Sequence, residues 1–281
     1  METIQKKLVM LKKLLTELDS VMIAYSGGVD SAFLLRVALE VLGTERVQAV
    51  MIVSETGPPG ETQEAIRLAQ ALGAPLKVLP LAELENKKFT DNAPDRCYHC
   101  KFTRFTRLME LAREHGLVAV VDGSNADDAQ DYRPGQLAGR ELGVRSPLQE
   151  VGLTKNEIRI LSREMNLPTW NKPASSCLAS RIPYGQPITR EKLVQIGRAE
   201  RYLQSLGLRQ VRVRHHGQIA RIEVQTNQFS LLLQPAAARR VVNFFKSLGF
   251  IYITLDMEGY QMGSLNREIG GRPAHEHEEL A

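Results

Sequence analysis

A six-residue stretch, S-G-G-V-D-S at residues 26–31, directly follows the apolar run V-M-I-A-Y at residues 21–25. The run predicts a buried strand, and two adjacent glycines let the backbone turn tightly and approach a ligand without interference from a Cβ atom. A helix predicted over residues 31–42 would point its free N–H groups at an anion in this loop, where pyrophosphate would fit. Because no G-x-x-x-x-G-K-S/T motif occurs, the sequence argues against a P-loop kinase or GTPase.

This stretch resembles the S-G-G-x-D-S motif of the PP-loop ATP pyrophosphatases, which grip the phosphates of ATP while AMP is transferred to a substrate oxygen. The resemblance implies that four residues bind phosphate, namely Ser26, Gly27, Gly28 and Ser31. It also implies that Asp30 helps to hold Mg²⁺, a hard cation that prefers oxygen ligands. An ordinary strand-turn-helix connection is the alternative, because these residue types are common in turns and caps.

Size and charge narrow the class of protein further. A chain of 281 residues can bury a substantial core, and we expect two modest domains. The 36 Lys and Arg against 32 Asp and Glu give a net charge of +4, which suits anionic small molecules and does not signal a nucleic-acid partner. The amino terminus lacks a signal-peptide apolar region, and no apolar run approaches the ~20 residues of a membrane helix. We therefore expect a soluble cytoplasmic protein with no membrane partner.

Strand-like and helical patterns alternate after the first loop. We expect strands at residues 47–53, 76–81 and 117–122, and helices at residues 61–72 and 102–113. This βαβα order predicts an α/β fold with a doubly wound parallel sheet, which the resemblance identifies as the PP-loop (adenine nucleotide alpha hydrolase-like) type. Because ligands bind outside the carboxyl ends of such strands, the loops after Tyr25, Val53 and Asp122 should face one crevice.

The pattern changes after Pro187. We expect helices at residues 191–206 and 236–248 and strands at residues 210–214, 219–224 and 250–255. This order predicts a smaller C-terminal α+β domain that resembles a ferredoxin-like module. We therefore place the PP-loop domain with the cysteines at residues 1–186, the α+β domain for substrate binding and oligomer contacts at 187–268, and a disordered tail at 269–281.

A polar loop follows the strand at residues 117–122. Long polar loops in compact domains are often functional, and Asp128 and Arg133 are its preferred substrate-binding residues. The alternative is a solvated connector whose acids cap helices, because Asp and Asn favour turns in any case.

The three cysteines form a second candidate site. Cys97 and Cys100 form a C-x-x-C pair ahead of a predicted helix, and Cys177 lies far along the chain. In a reducing compartment, three cysteines indicate metal binding or catalysis rather than a disulfide framework. Zinc, a redox disulfide and an iron-sulfur cluster all remain open. Zinc would require a fourth ligand, which His99 or a histidine of the pair at 215–216 could supply, or a water molecule.

A 4Fe-4S cluster bound by three thiolates would leave one iron without a protein ligand. That iron could hold an extra sulfide for delivery to an activated substrate. ATP can convert a carboxylate or carbonyl oxygen into an AMP leaving group, which a sulfur nucleophile then displaces. The loop at residues 26–31 and the cysteines together therefore predict replacement of oxygen by sulfur.

Several motifs together resemble the ATP-dependent sulfur transferases of nickel-pincer nucleotide biosynthesis (the LarE family) through nearly the whole chain. They are S-G-G-V-D-S, D-Y-R-P-G at residues 131–135, W-N-K-P-A-S-S-C-L-A-S-R-I-P-Y-G at 170–185 and V-R-V-R-H-H at 211–216. The resemblance implies adenylation of a carboxylate of pyridinium-3,5-biscarboxylic acid mononucleotide, followed by sulfur insertion. The resulting thiocarboxylates later hold nickel in lactate racemase.

The same resemblance implies two mechanisms for the sulfur. Some members sacrifice the sulfur of one cysteine, which would be Cys177 here. The additional Cys97 and Cys100 resemble the subgroup whose three cysteines bind a 4Fe-4S cluster, and we favour this cluster route because it can turn over repeatedly. A sulfide or another sulfur donor is then a partner. Because members of the family form hexamers, the resemblance also implies a homo-oligomer.

Arginines complete the predicted site. Arg212 and Arg214 alternate along a predicted strand and so project to one face, where they could grip a phosphate or carboxylate. A solvated strand face is the alternative, and the resemblance favours substrate binding. Arg181 could steady the acyl-adenylate, although a cap or surface ion pair explains it equally well. The resemblance suggests that Glu200 binds a metal or forms a subunit contact, and an ordinary solvated helix face is the alternative.

Three other functions remain open from the sequence. A PP-loop tRNA thiolase would also use cysteines and a cluster, but it should show a basic stripe. A zinc or nucleotide sensor would release no pyrophosphate. An ammonia-using amidating ligase would survive replacement of all three cysteines.

Overall fold

The computed structural model describes residues 2–130, 134–173, 176–261 and 263–269. The chain forms two compact units. The first unit comprises Met1–Ser54, Gly60–Ala82 and Cys97–Ser175, and the second comprises Glu55–Pro59, Glu83–Arg96 and Ser176–Ala281. The predicted domain boundary between residues 186 and 187 stays a prediction, because a compact unit is not by itself an independently folding domain. Most of the predicted disordered tail, residues 270–281, lies outside the described residues.

A four-stranded parallel sheet forms the centre of the first unit. Its strands are β1 (Val21–Ala24), β2 (Val47–Val53), β3 (Leu76–Pro80) and β4 (Ala119–Val121), in the order β3-β2-β1-β4. The sheet confirms the predicted doubly wound α/β fold. The strand order reverses beside β1, whose residues Val21, Met22 and Ile23 are fully buried. In such sheets the ligand crevice lies at this point of reversal, outside the carboxyl ends of the strands.

Helices cover the sheets and connect the strands. They are α1 (Glu2–Glu17), α2 (Val29–Leu42), α3 (Glu61–Ala71), α4 (Lys87–Thr90), α5 (Arg96–Glu114), α6 (Pro134–Glu141), α7 (Pro147–Glu150), α8 (Lys155–Glu164), α9 (Arg190–Ser205), α10 (Phe229–Leu233) and α11 (Pro235–Ser247). In α2, nine side chains are buried because the helix is apolar on nearly every face. In the part of the chain that the structure describes, no helix is long and apolar enough to cross a membrane.

Helix α5 differs from its prediction. The sequence placed its start at residue 102 and the C-x-x-C pair ahead of it, whereas α5 begins at Arg96 and includes Cys97 and Cys100 in its first turns. The mostly polar residues of these turns show no apolar periodicity, so hydrophobic spacing does not reveal that the helix starts at Arg96. Both thiols are therefore held by helical backbone rather than by a loop.

The second unit contains a three-stranded mixed sheet. Strands β5 (Val211–His216) and β6 (Ile219–Val224) pair antiparallel, and β7 (Tyr252–Leu255) pairs parallel to β6. Helices α9 and α11 supply a core with β5 and β6, which includes Leu203, Val213 and Phe245. This arrangement confirms the predicted smaller C-terminal α+β region. Strand β5 is buried from Val211 to His215, so the side chains on both of its faces lie inside the unit.

Candidate functional site

In the loop after β1, the backbone conformation and the surroundings of residue 27 fit only glycine. Gly27 has φ = +72°, and a Cβ atom there would lie 2.3 Å from Cβ of Ala65. Helix α2 begins one residue beyond Gly28, and no side chain caps its first N–H groups at that residue. The loop therefore presents backbone donors at a helix N-terminus, which is the arrangement that binds phosphate groups.

The hydroxyl groups of Ser26 and Ser31 form hydrogen bonds within this loop. Ser26 Oγ and Ser31 Oγ lie 3.0 Å apart, and the backbone N–H of Ser26 donates to Ser31 Oγ over 3.2 Å. The backbone N–H of Gly28 donates to Ser26 Oγ over 3.3 Å. These contacts bring Ser26, Gly28 and Ser31, three of the four predicted phosphate-binding residues, together around Gly27 in one loop.

Asp30 lies in the first turn of α2, and its two carboxylate oxygens have different surroundings. Its Oδ2 forms an ion pair with Nζ of Lys155, the first residue of α8. Its Oδ1 is buried and has no hydrogen-bond partner among the described residues. A buried carboxylate oxygen without a donor is costly unless a cation or water satisfies it. The donor chemistry of Asp30 therefore fits Mg²⁺.

Lys155 is a site residue that the sequence analysis missed. A capping box formed by Thr154 and Glu157 fixes the start of α8, and the backbone N–H of Lys155 donates to Asp127 Oδ2 over 2.8 Å. The ammonium group and Asp30 are 125 residues apart in sequence, so no local pattern could pair them. The T-x-x-E sequence at residues 154–157 is a capping signature that could have marked the start of this helix.

The loop after β4 approaches the loop after β1. A Cβ atom on Gly123 would lie 3.0 Å from the backbone nitrogen of Ser31. Asp122, the residue before it, accepts hydrogen bonds from Ser124 and Ser146. The two loops on either side of the strand-order reversal therefore meet, as the sequence predicted for the loops after Tyr25 and Asp122.

One face of α5 carries both cysteines of the C-x-x-C pair. Cys97, Cys100, Lys101 and Arg104 follow helical spacing along this face. Lys101 Nζ lies 3.4 Å from Asp122 Oδ2, and Arg104 Nη2 donates to Ser54 Oγ over 3.3 Å. Because Asp122 follows β4 and Ser54 follows β2, this face lies against the carboxyl ends of the strands. Neither cysteine forms a disulfide, and Cys97 is exposed whereas Cys100 is partly buried.

Cys177 precedes a short 3-10 turn in the second unit, Leu178–Arg181. Its carbonyl oxygen accepts hydrogen bonds from Ser180 Oγ at 2.8 Å and from Arg181 Nη1 at 3.0 Å. Leu178 is buried, and its N–H donates to the carbonyl of Thr56 over 2.8 Å. The backbone of Cys177 is thus held firmly while its side chain is exposed as a thiol.

The buried side chain of Arg181 stabilises this turn. It is 1% exposed and forms a bidentate ion pair with Glu200, with Nε and Nη2 at 2.8 and 2.9 Å from the two carboxylate oxygens. Its Nη1 donates to the carbonyl oxygens of Ser176 and Cys177. Glu200 also accepts from the N–H of Val213 over 2.9 Å. The alternative in which Glu200 lies on a solvated helix face is wrong, because this carboxylate is buried against Arg181.

Arg214 forms a second buried pair beside the first. Its Nε and Nη2 lie 2.9 and 2.8 Å from the carboxylate oxygens of Glu223 on β6. Its Nη1 donates to the carbonyl of Ser180 over 2.7 Å. The turn after Cys177 is therefore held by hydrogen bonds from Arg214 as well as from Arg181. The alternative of a solvated strand face is wrong, since Arg212 and Arg214 are 9% and 6% exposed.

Arg212 makes contacts of a different kind. Its Nη1 donates to the carbonyl of Val211 over 2.8 Å, and its guanidinium carbon lies 5.2 Å from the centroid of the Tyr260 ring. Burial, together with the positive charge of Arg181, lowers the pKa of Arg212. The negative charge of Glu200 raises this pKa and so partly offsets the effect of burial.

Asp128 lies in the short 3-10 helix Ala126–Gln130, which follows β4. Asp128 Oδ2 accepts from the N–H of Asn125 over 3.0 Å, so this carboxylate also stabilises the turn that contains it. Arg133 lies outside the described residues. Cys97 and Cys100 belong to the first unit and Cys177 to the second, so their convergence on one cluster stays a prediction. Among the described residues, no group of three or more His, Cys, Asp or Glu side chains lies close enough together to hold a metal ion.

Comparison with known proteins gives matches along nearly the whole chain. The NAD synthase family model matches residues 3–181. An uncharacterized protein of Synechocystis is 45% identical over 95% of this chain and 99% of its own length. The pyridinium-3,5-bisthiocarboxylic acid mononucleotide synthase of Lactiplantibacillus plantarum is 41% identical over 95% of this chain and 96% of its own. A tRNA-specific 2-thiouridylase of Desulforamulus reducens is 26% identical over 55% of this chain and 53% of its own.

The parallel sheet, the loop after β1 and the NAD synthase match define a PP-loop ATP pyrophosphatase domain. Within this class, the chain belongs to the ATP-dependent sulfur transferase family that includes the Lactiplantibacillus synthase. The predicted family and the predicted enzyme class, an ATP-dependent sulfurtransferase, are thereby confirmed. The three-cysteine iron-sulfur subgroup stays a prediction.

Proposed function

We propose that this protein uses ATP to adenylate a carboxylate of pyridinium-3,5-biscarboxylic acid mononucleotide and then replaces the carboxylate oxygen with sulfur. The observation that carries the proposal is the exposed side chain of Cys177 on a turn that Arg181 and Arg214 hold by hydrogen bonds. The same chain has, after β1, a glycine loop at a helix N-terminus, which supports a phosphate-binding role. The name of the Lactiplantibacillus relative supplies the substrate, since its product is the bisthiocarboxylic acid mononucleotide.

The loop after β1 would hold the phosphates of ATP. Backbone N–H groups at Gly27 and Gly28 and the hydroxyls of Ser26 and Ser31 would donate to the β- and γ-phosphates. Mg²⁺ held by Asp30 would neutralise the pyrophosphate that leaves. Lys155 would exchange its ion pair with Asp30 for a phosphate oxygen when Mg²⁺ arrives, because the metal then supplies the positive charge that Asp30 needs.

The proposed reaction has two steps. In the first, a carboxylate oxygen of the substrate attacks the α-phosphorus of ATP, and the bond to the pyrophosphate oxygen breaks. In the second, a sulfur nucleophile attacks the activated acyl carbon, and AMP leaves with the original carboxylate oxygen. The products are a thiocarboxylate, AMP and pyrophosphate.

The cysteines would provide the sulfur. The thiolates of Cys97, Cys100 and Cys177 fit a 4Fe-4S cluster in their donor chemistry, and two of them lie on one face of α5. When bound, such a cluster supplies an iron site for one additional sulfide. The residues of this chain would orient the sulfur: Arg181 and Arg214 fix the turn that carries Cys177.

A sacrificial role of Cys177 is the second candidate, and its exposed thiol favours it. Its Sγ would attack the acyl carbon and displace AMP, and loss of the α-proton with cleavage of the Cβ–Sγ bond would leave dehydroalanine.

The substrate would contact Asp128, Arg133, Arg181, Arg212 and Arg214. Arg181 would act chiefly by positioning, since its guanidinium is occupied by Glu200 and by the turn. A homo-oligomer, in the form of a hexamer, completes the proposal.

Pyrophosphate and AMP release with the purified dicarboxylate substrate tests this function. We expect release that depends on the substrate, and thiocarboxylate formation that is lost in Cys177→Ala. Release that responds to tRNA instead of the mononucleotide would support the tRNA thiolase. Formation of an amide product that survives replacement of all three cysteines would support an amidating ligase. Failure to release pyrophosphate with any acceptor would support a sensor.

Iron content separates the two sulfur routes. Protein purified without oxygen should carry about four irons per chain, with loss in each of Cys97→Ala, Cys100→Ala and Cys177→Ala. Zinc, or no metal after reconstitution, together with a mass loss of one H₂S from Cys177 after reaction, would replace the cluster with the sacrificial route.

A further inference from the structure

The loop that follows the turn carrying Cys177 is contacted by a distant segment of the chain. This loop comprises residues 182–188, and the segment is Glu83–Arg96; both belong to the second unit. The N–H of Gly185 in the loop donates to the carbonyl of Asn92 over 3.0 Å. Asn92 therefore lies directly against the loop.

The side-chain amide of Asn92 is fully buried, and both of its ends have partners. Its Nδ2 donates to the carbonyls of Pro183 and Gln186 over 2.7 and 2.8 Å, and it lies 3.3 Å from the carbonyl oxygen of Ile182. Its Oδ1 accepts a hydrogen bond from Nη1 of Arg96. One side chain thus holds the loop at three carbonyl groups.

The backbone at residue 92 also favours asparagine. Asn92 has φ = +58°, in the left-handed region that asparagine adopts more readily than most residues with a side chain. An amide is needed as well, because the same group donates to the loop and accepts from Arg96. Asparagine meets both requirements at this position.

The loop continues directly from the turn that carries Cys177. The N–H of Ile182 donates to the carbonyl of Ala179 in that turn over 3.1 Å, and the carbonyl of Thr56 accepts a hydrogen bond from its amino-terminal side. Asn92 therefore holds the chain on the carboxyl side of the turn. Because the Cys177 side chain is exposed, its direction depends on the backbone of this turn.

We propose that Asn92 is a positioning residue for the sulfur-transfer step, which fixes the backbone on which Cys177 is presented. This proposal rests on the proposed function for the reaction. Adenylation uses the phosphate loop after β1, whereas transfer of sulfur uses Cys177 in either sulfur route. Loss of the Asn92 contacts should therefore slow sulfur transfer while adenylation continues. Water then attacks the acyl carbon of the adenylate, the bond to the AMP oxygen breaks, and the original carboxylate is released with AMP.

Asn92→Asp isolates the amide donors. The carboxylate has nearly the same shape, tolerates the left-handed backbone and can still accept from Arg96, but it cannot donate to the loop carbonyls. Asn92→Gly is a second variant, which keeps the left-handed backbone and removes the whole side chain. Asn166→Asp is the matched control, because Asn166 has φ = +56° and is exposed. Urea unfolding measures the stability of all three variants.

The ratio of pyrophosphate released to thiocarboxylate formed measures how well the two steps are coupled. This ratio does not depend on the folded fraction, because only folded molecules carry out either step. We expect it to rise about tenfold or more in both Asn92 variants, since a small displacement of a reacting group can cost ~100-fold in rate. It should keep the wild-type value in Asn166→Asp. An unchanged ratio in the Asn92 variants, or loss of both products in parallel, would overturn the proposal.

Hydrogen exchange tests the positioning without any reaction. The N–H groups of Leu178, Ser180 and Ile182 are hydrogen-bonded in the wild type, and their exchange should become about tenfold faster in Asn92→Asp. Strand β5 of the same unit should keep its exchange rates. Unchanged exchange in the turn would overturn the proposal whether or not the chain transfers sulfur.

The two readouts separate this inference from the proposed function. A wild type that forms the thiocarboxylate, with an unchanged ratio in the Asn92 variants, would refute the role of Asn92 and leave the function standing. Faster exchange of the turn in Asn92→Asp, in a protein whose wild type releases no pyrophosphate with the dicarboxylate, would support the positioning of Cys177 by Asn92 and refute the proposed reaction.

Discussion

Arg181 and Glu200 face each other through two hydrogen bonds of 2.8 and 2.9 Å, and their side chains are 1% and 6% exposed. The pair joins α9 to the turn that carries Cys177, because Arg181 also donates to the carbonyl of that cysteine. A buried pair of this kind need not add stability compared with apolar residues, but removal of one partner leaves an uncompensated charge. The geometry of the Cys177 turn therefore depends on a residue of α9.

Glu200→Gln removes the negative charge and nearly preserves the shape. We expect the free energy of unfolding to fall by about 3 kcal/mol, because the Arg181 charge stays buried without its partner. Glu17→Gln is the control: Glu17 pairs with Lys13 at 3.8 Å on an exposed helix face, and its loss should cost under about 1 kcal/mol. Urea unfolding of both variants gives the comparison, and equal losses would show that the buried pair has no special role.

Gly27→Ala should disable the phosphate loop. The new methyl group would meet Ala65 at 2.3 Å in a backbone conformation with φ = +72°, so the loop must move away from its present position. We expect pyrophosphate release to fall by more than about 100-fold, since small displacements of binding groups cost this much. Gly43→Ala shares the positive φ, at +74°, but has open space around it. It should lose some stability and keep its activity; matching losses of activity would rule out the close approach as the cause.

Lys155→Met should weaken ATP binding. A charged hydrogen bond to phosphate is worth about 1.5–3 kcal/mol, so we expect the KM for ATP to rise about tenfold or more. Lys7→Met removes another cation of the first unit, which pairs with Glu157 on α8 at 2.7 Å. It should leave the KM for ATP unchanged. Steady-state pyrophosphate release decides between them, and an unchanged KM in Lys155→Met would remove Lys155 from the nucleotide site.

Tyr25 should make stability depend on alkaline pH. Burial raises the pKa of Tyr25 to about 12, and its hydroxyl donates to the carbonyl of Ala65 over 3.0 Å. The unfolded chain loses this proton near pH 10 while the folded chain keeps it, so stability present below pH 10 falls as pH rises toward 12. Urea unfolding at pH 8, 10 and 11 should therefore show a smaller decline in Tyr25→Phe than in wild type. Parallel declines in the two proteins would contradict the shift.

Local patterns predicted the parts of the fold that depend on neighbouring residues. The strand, the glycine turn and α2 follow one another within residues 21–42, so hydrophobic periodicity and turn chemistry are sufficient there. The alternation of Arg212 and Arg214 likewise predicted a shared strand face. That alternation could not tell a solvated face from a buried one, because the partner Glu223 lies on the next strand and Glu200 on α9.

Long-range contacts account for what the sequence analysis missed. Lys155 meets Asp30 only because α8 packs beside α2, and nothing near either residue signals the other. Tyr260 faces Arg212 because the turn at Gly259 hydrogen-bonds to the end of β6. Each contact follows from tertiary packing, which a periodicity within one segment does not encode.

The transfer of oxygen from substrate to AMP tests the central claim most directly. The dicarboxylate substrate is labelled with ¹⁸O in its carboxylates and incubated with ATP, Mg²⁺ and a sulfur source, and AMP and product are analysed by mass spectrometry. Adenylation followed by sulfur attack predicts one ¹⁸O in AMP for each sulfur gained by the product. Unlabelled AMP, or label in inorganic phosphate with ADP as the nucleotide product, would contradict the account.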